Sequence, residues 1–132
     1  MARNIEAGVG IVDAQDLRGF IAELKRRPSI RLAKLAAKGS VEPSRRDNGI
    51  VMQPRTTIIA TAYDPDAREI IRWKQKWDVG SGLVTNGRRN QHRLGAPSRQ
   101  NVIDQLEVEQ YQVVEGEWTP QVVQDILDRQ AD

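Results

Sequence analysis

The sequence predicts an α+β domain, in which a small antiparallel sheet centred on a hairpin over residues 56–79 is packed by N-terminal and C-terminal helices. Over residues 71–79, large and mostly apolar side chains alternate with charged ones, which is the period of a strand with one solvated face. The run over residues 57–63 is rich in β-branched and aromatic side chains, and Asp64-Pro65-Asp66 between the two runs supplies turn chemistry. Helical spacing near both termini completes the prediction.

A helix is the alternative for the second half of this hairpin. Asp64 is an acceptable N-cap, and Pro65 suits a first helical turn. The face that such a helix would bury also contains Lys74 near its middle, so the pattern favours the strand. In the hairpin, Trp73 and Trp77 are expected to anchor the core, each contributing about 2–3 kcal/mol on burial, with base stacking as the alternative role.

Two helices are predicted before the hairpin. The first covers residues 14–26, with Asp13 as N-cap, and it ends before Pro28. Its apolar face is formed by Leu17, Phe20, Ile21 and Leu24. The second covers residues 30–38 and stops at Gly39, with Arg31, Lys34 and Lys38 in one basic stripe. A short strand over residues 9–12 precedes both helices.

A helix-turn-helix does not fit these two helices. Its recognition helix would cover residues 41–48, but that segment contains Pro43 and has no apolar residue after Val41 to pack it. We predict a loop over about residues 39–55 instead, with a brief strand at 50–52 as an option, because Gly, Pro, Ser, Asn and Asp collect there without a sustained period.

The C-terminal part is predicted to contain a helix beginning at about Arg99 and a strand over residues 108–114. One long helix over residues 99–114 is the alternative. Thr119-Pro120 is a clear start signal for a closing helix that runs to about Arg129. Trp118, just before this cap, is expected to pack on the closing helix.

Composition limits the classes of function. At 132 residues, the chain suits a single domain over residues 1–132, with flexible loops at about 39–55 and 80–98. Without a membrane span or a leader-like N-terminus, the expected location is cytoplasmic. The absence of cysteine and the single His92 leave no basis for a disulfide framework or a zinc site, so no cofactor and no metal are predicted.

Charge is distributed unevenly along the chain. Residues 1–100 hold 19 Lys and Arg against 10 Asp and Glu, a net charge of +9, whereas residues 101–132 hold one Arg against eight acids, a net charge of −7. Such asymmetry indicates either a polyanionic partner for the basic part or pairing of the two parts, within one copy or between copies.

Three basic segments are candidate contact surfaces. The first is the Gly-rich, acid-free stretch over residues 80–98, the second is the charged face of the hairpin, and the third is the stripe of the second helix. The candidate nucleic-acid-binding residues are Arg88, Arg89, His92, Arg93, Arg99, Arg72, Lys74, Lys76, Arg31, Lys34 and Lys38.

Catalysis finds little support in the pattern. Asp64, Asp66 and Glu69 near Lys74 superficially match the acid–acid–lysine set of metal-dependent nucleases. Such a set needs an acid two residues before the lysine, and that position is Arg72. We therefore assign no catalytic residue.

The function that the sequence favours is that of a small non-enzymatic accessory protein that binds nucleic acid, DNA or RNA, with little sequence specificity. Its affinity would come mainly from counterion release. The alternative is a protein-interaction or assembly module, whose basic surface meets an acidic protein or the acidic C-terminal part of another copy in a homo-oligomer.

Overall fold

A computed structural model describes residues 3–6, 8–78 and 99–131. The α+β class is confirmed, but the small antiparallel sheet is wrong: the described residues form three helices and a six-stranded mixed sheet, strongly curled into a half-barrel. The elements are β1 (Arg3–Glu6), β2 (Val9–Asp13), α1 (Leu17–Lys25), β3 (Leu32–Arg46), β4 (Gly49–Asp64), β5 (Glu69–Asp78), α2 (Arg99–Val108), β6 (Gln112–Glu115) and α3 (Pro120–Ala131).

The strand order is β1-β2-β5-β4-β3-β6, so the predicted hairpin, β4 with β5, lies at the centre of the sheet. It is confirmed by its register, which places Tyr63 opposite Ile70 and Thr57 opposite Lys76. The β2–β5 and β3–β6 pairs are parallel, and the other pairs are antiparallel. A parallel pair joins strands that are distant in sequence, so local alternation of side chains does not reveal it.

The predicted helix over residues 30–38 and the predicted loop over residues 39–55 are both wrong. The two segments belong to the long hairpin of β3 and β4, which turns at Asp47-Asn48. Ala33 and Leu35 are fully buried in the larger core, and Leu35 lies opposite Ala60 across this hairpin. Cross-strand burial has thus overridden the helical preference of an Ala- and Lys-rich segment.

Helix α1 begins three residues later than predicted, at Leu17. Its N-cap is Asp16, whose carboxylate accepts a hydrogen bond of 2.6 Å from the backbone N–H of Gly19. Asp13, the predicted cap, ends β2 instead and accepts two hydrogen bonds from Arg72. The predicted apolar face of the helix is correct in Leu17, Phe20 and Leu24, which are buried.

The C-terminal part follows the first of its two alternatives. Helix α2 ends at Val108, and β6 begins at Gln112, after Gln110 has taken a positive φ of 72°. Helix α3 confirms the closing helix: Pro120 is its first residue, and the hydroxyl of Thr119 accepts a hydrogen bond of 3.2 Å from the backbone N–H of Val122. No described helix is long and apolar enough to cross a membrane.

The two faces of the sheet have separate cores. The first face packs against α1 and α2, and its core contains Trp73, only 2% exposed, as predicted. The second face carries a smaller core of Val9, Ile70 and Val123, against which Tyr63, Trp118 and Leu127 pack. Trp118 therefore packs with the closing helix, as expected. The side chain of Trp77 lies outside the described residues.

Candidate nucleic-acid interface

Alternating residues of the central strands place a group of lysines on the second face. Along β5 from Ile70, this face carries Arg72, Lys74 and Lys76 in turn, while Ile71 and Trp73 point into the larger core. Lys76 lies opposite Thr57 of β4, and Thr57 lies opposite Lys38 of β3. Two lysines from strands on either side of β4 thus flank one threonine.

These side chains line an open groove of about 550 Å³, which we call the lysine groove. Besides the three lysines, small and hydroxyl-bearing side chains form much of its surface. Its lining residues are Lys38, Gly39, Ser40, Glu42, Thr57, Ile59, Lys74 and Lys76.

The described lining of the lysine groove has a net positive charge, because it contains three lysines and one carboxylate, that of Glu42. Lys76 lies 3.0 Å from the carboxylate of Glu42, and Lys38 lies 3.0 Å from Glu117 at the border of the groove. Lys74 is exposed and has no ion pair with any described carboxylate. One of the three ammonium groups is therefore available to an external anion without first breaking an ion pair with a described residue.

Glu42 moderates the charge of the groove. The Ser40 hydroxyl donates a hydrogen bond of 2.8 Å to its carboxylate, and Lys76 donates another of 3.3 Å. These two hydrogen bonds, in that order, lower the pKa of Glu42 from its usual value near 4.5. The carboxylate is consequently ionised at neutral pH and partly offsets the lysines.

Two further cations on the second face are engaged within the protein. The guanidinium of Arg72 donates to both carboxylate oxygens of Asp13, at 2.6 and 3.0 Å, in the bidentate geometry that suits arginine. The ammonium of Lys34 lies 4.2 Å from the ring centre of Trp118, a cation–π contact. Arg72 and Lys34 belong to the predicted cationic residues, but they stabilise the fold beside the groove.

The predicted stripe of Arg31, Lys34 and Lys38 is wrong, because this segment is a strand and not a helix. Lys34 and Lys38 share the second face, whereas Arg31 precedes β3 and donates to the backbone carbonyls of Pro28 and Ile30. A helix places residues three and four positions apart on the same face. In a strand, successive side chains point to opposite faces, so residues three positions apart lie on different faces.

The remaining candidates lie elsewhere in the chain. Arg99 is the first residue of α2, and its guanidinium is 3.6 Å from the carboxylate of Glu115. It does not line the lysine groove. The other four candidates, Arg88, Arg89, His92 and Arg93, lie outside the described residues, and their role stays a prediction.

The sequence predicted Lys38 as a contact residue, but as part of a helix, and it did not predict the other β3 and β4 residues of the lysine groove. Lys38, Ser40 and Glu42 follow one another at the spacing of alternate strand residues, which is the signal that could have placed them on one face of a strand. The glycine and proline content of this segment suggested a loop and concealed that signal.

A second charged cluster, also missed, is buried between α1 and the central hairpin. The Arg27 guanidinium lies 2.7 Å from Glu69, 2.8 Å from Glu23 and 3.0 Å from Asp64. Asp64 also accepts hydrogen bonds from the Ser29 hydroxyl and from the backbone N–H of Asp66. Burial alone would lower the pKa of Arg27, but hydrogen bonds to Glu69, Glu23 and Asp64 together raise the pKa above its usual value.

This cluster is structural in its geometry. Asp64 and Glu69, two acids of the nuclease-like pattern, are paired with Arg27 and do not converge on an open site. Among the described residues, no group of three or more His, Cys, Asp or Glu side chains is arranged to hold a metal ion. The lysine groove is thus the stronger functional candidate.

Comparison of the chain with protein families, curated proteins and solved structures gives no match. A function can therefore be inferred only from the chemistry and geometry of the residues themselves.

Proposed function

We propose that this protein binds nucleic acid with little sequence specificity, and that the lysine groove is a principal contact surface. The observation that supports this proposal is the convergence of Lys38, Lys74 and Lys76 on one sheet face from two strands that are separated by β4. Adjacent strands lie about 4.8 Å apart, so the backbones that carry Lys38 and Lys76 are separated by about 10 Å. Flexible ammonium groups at this spacing can reach more than one phosphate of a polynucleotide.

The lining of the groove also accounts for low specificity. Its described lining residues are lysine, serine, threonine, glycine, isoleucine and one glutamate, and none of them is asparagine, glutamine, arginine or aromatic. Bidentate readout of base edges uses mainly arginine, asparagine and glutamine, whereas base stacking uses aromatic rings. Lysine and hydroxyl groups instead suit contacts with phosphate oxygens, which carry no sequence information directly.

Three lysine–phosphate contacts define the expected strength of binding. Each contact on duplex DNA contributes about −0.9 to the slope of log K against log salt, so the groove alone predicts a slope of about −2.7. The dissociation constant should fall in the range of non-specific binders, about 10⁻⁴ to 10⁻⁶ M at physiological salt.

The test is a fluorescence anisotropy titration with labelled single-stranded DNA, duplex DNA and RNA at several salt concentrations. The groove variant replaces Lys38, Lys74 and Lys76 with Gln. The matched control replaces Arg18, Lys25 and Arg26 of the α1 region with Gln, because these side chains are also exposed and the total charge changes equally. We expect the groove variant to bind more weakly with a salt slope closer to zero, and the control to bind nearly as the wild type does.

A separate variant, in which Arg88, Arg89 and Arg93 are replaced with Ala, tests the contribution predicted for residues 80–98. Weaker binding with an unchanged melting temperature would support a contact there. If the wild-type protein binds none of the three nucleic acids at low salt, the proposed function is wrong. If the groove variant and its control lose affinity equally, the lysine groove is not the contact surface.

Protein–protein interaction is the second candidate function, and a different observation favours it. The part of the β3–β4 hairpin that extends beyond the neighbouring strands exposes several large apolar side chains. Apolar side chains grouped on one exposed face are typical of interaction surfaces.

A further inference from the structure

The extended part of the β3–β4 hairpin, residues 41–46 and 49–54, forms a two-stranded ribbon that we call the arm. Strand β6 pairs with β3 only as far as Leu35, and β5 pairs with β4 only from Arg55 onward. No described strand therefore pairs with either outer edge of the arm. Its register is continuous to the last pair, Arg46 with Gly49, so alternate residues keep to the same face throughout.

One face of the arm is largely apolar and exposed. Residues opposite each other in this register include Val41 with Pro54, Pro43 with Met52, and Arg45 with Ile50. Val41, Met52 and Ile50 are 62%, 58% and 65% exposed. This apolar face contains the side chains of Val41, Pro43, Arg45, Ile50, Met52 and Pro54. The other face carries the carboxylate of Glu42, and Val51 there is 48% exposed.

Two properties of the arm indicate how a partner would bind. The arm and its turn, residues 41–54, contain two arginines and two acids, so this segment has no net charge with which to attract a polyanion. Pro43 and Pro54 lack a backbone N–H, which disfavours the addition of another strand to the edges of the arm. Docking through the apolar face against another protein surface is the remaining mode.

A surface of matching chemistry lies between α1 and α2 of the same chain. It is a shallow groove of about 230 Å³ lined by Ile21, Asp104, Gln105, Val108 and Glu109. Val108 is 78% exposed. Of the two carboxylates in the lining, Glu109 lies 2.6 Å from the ammonium of Lys25, whereas Asp104 has no ion pair with a described residue. The apolar face of the arm carries one cation, Arg45, among its aliphatic side chains. Arg45 can therefore pair with Asp104 while the aliphatic side chains meet Ile21 and Val108.

We propose that the arm of one copy docks into the α1–α2 groove of a second copy of this chain. Within one copy the two surfaces are not joined, since both Met52 and Val108 remain exposed. The arm and the groove are different surfaces, so the contact is heterologous and each copy offers one of each. Association would then produce head-to-tail oligomers, and it does not depend on the lysine groove.

The interface is expected to be weak. A single face of the arm in a shallow groove buries less surface than a standard protein interface, which buries about 1,600 Å² in total. Self-association should accordingly appear between about 10⁻⁵ and 10⁻³ M protein and should increase with concentration.

The test uses sedimentation velocity over this concentration range. The arm variant replaces Ile50 and Met52 with Thr, which preserves strand propensity. Its control, Val51→Thr, makes the same kind of change on the opposite face of the arm. The groove-facing variant replaces Asp104 with Lys and Val108 with Ser. We expect the wild type and the control to associate and each of the other two proteins to remain monomeric.

Mixing provides the decisive measurement. The arm variant keeps an intact α1–α2 groove, and the groove-facing variant keeps an intact arm, so an equimolar mixture should form a 1:1 dimer and stop there. A charge exchange gives a second route: Arg45→Glu should weaken association, and adding Asp104→Lys to the same chain should restore it, because every arm then meets a groove of the opposite charge. Circular dichroism and melting temperature verify that every variant is folded.

Four results would overturn the proposal. One is a wild-type protein that stays monomeric at about 10⁻³ M. Another is unchanged association of the variant with Asp104→Lys and Val108→Ser. That result would indicate that the arm of one copy pairs with the arm of the other and not with the α1–α2 groove. The third is an equal loss of association in the Val51→Thr control. The fourth is a mixture of the two monomeric variants that stays monomeric. If the wild-type protein is monomeric and the arm variant no longer binds nucleic acid, the arm is a contact surface for nucleic acid instead.

Discussion

The guanidinium Nη1 of Arg27 lies 2.7 Å from the carboxylate Oε1 of Glu69, although the two residues are 42 positions apart in the chain. Arg27 follows the C-terminus of α1, and Glu69 begins β5. The same guanidinium contacts Glu23 within the helix and Asp64 at the end of β4. One side chain thus fixes the end of α1 against the turn of the central hairpin.

Replacing Arg27 with Ala should reduce the free energy of unfolding by about 3–5 kcal/mol. The substitution leaves three nearly buried carboxylates without their shared cation, and an uncompensated buried charge is costly. Urea denaturation monitored by circular dichroism measures the effect. The neighbouring Arg26→Ala is the control, because the Arg26 side chain is 74% exposed and its ion pair with Glu23 is 3.5 Å long. Equal losses in the two variants would contradict the structural role of Arg27.

Replacing Glu42 with Gln should strengthen nucleic-acid binding severalfold at neutral pH, if the lysine groove is the contact surface. The substitution removes the negative charge beside Lys76 and leaves Lys38 and Lys74 unchanged. Anisotropy titrations at fixed salt measure the affinity. A Glu107→Gln variant, which makes the same charge change on α2, is the control and should bind nearly as the wild type does.

Acidification should have the same effect on the wild-type groove as the Glu42→Gln substitution. The pKa of Glu42 is lower in the folded protein than its usual value. Its ionised carboxylate therefore stabilises the fold at any pH above that usual pKa. The contribution is lost as the pH falls through the lowered pKa, and protonation then removes the negative charge from the groove. Over the pH range in which the protein stays folded, the affinity advantage of the Gln variant should shrink toward low pH. A constant advantage would contradict this role of Glu42.

Replacing Trp73 with Phe should cost much less stability than Trp73→Ala. The indole N–H of Trp73 is buried and finds no acceptor among the described residues, so Phe removes a polar group that is costly to bury. We expect a loss of about 1 kcal/mol for Phe and about 3–5 kcal/mol for Ala, the latter from lost apolar burial and the cavity that remains. Thermal and urea unfolding measure both variants. A loss in the Phe variant as large as that in the Ala variant would show that the N–H has an acceptor.

Replacing Thr61 with Val should destabilise the protein by about 1–3 kcal/mol although the two side chains have the same shape. The Thr61 hydroxyl is fully buried and accepts a hydrogen bond of 2.8 Å from the backbone N–H of Trp118, which would lose its partner. Thr57→Val, on the same face of β4, is the control and should change stability by less than about 0.5 kcal/mol. Urea denaturation of the pair decides the outcome, and equal effects would contradict the prediction.

Prediction from sequence succeeded where one local pattern was sufficient. The alternation from Ile71 onward predicted β5, and Thr119-Pro120 predicted the start of α3. It failed for residues 30–55, whose alanines, lysines, glycine and prolines favour a helix and a loop locally. Pairing of Leu35 with Ala60 and burial of both in the larger core decided the strand. For the candidate site, the charged face of β5 was predicted, but the partner strand that contributes Lys38 was not.

By itself, the sequence determined the α+β class, the central hairpin, the apolar face of α1 and the closing helix, because each depends on residues within one or two turns or along one strand. Only the tertiary structure decided the six-stranded mixed sheet, the meeting of Arg27 with Glu69, and the convergence of Lys38 on Lys74 and Lys76. These features join residues that are tens of positions apart. Their geometry follows from the strand register and the curl of the sheet, which local periodicity does not encode.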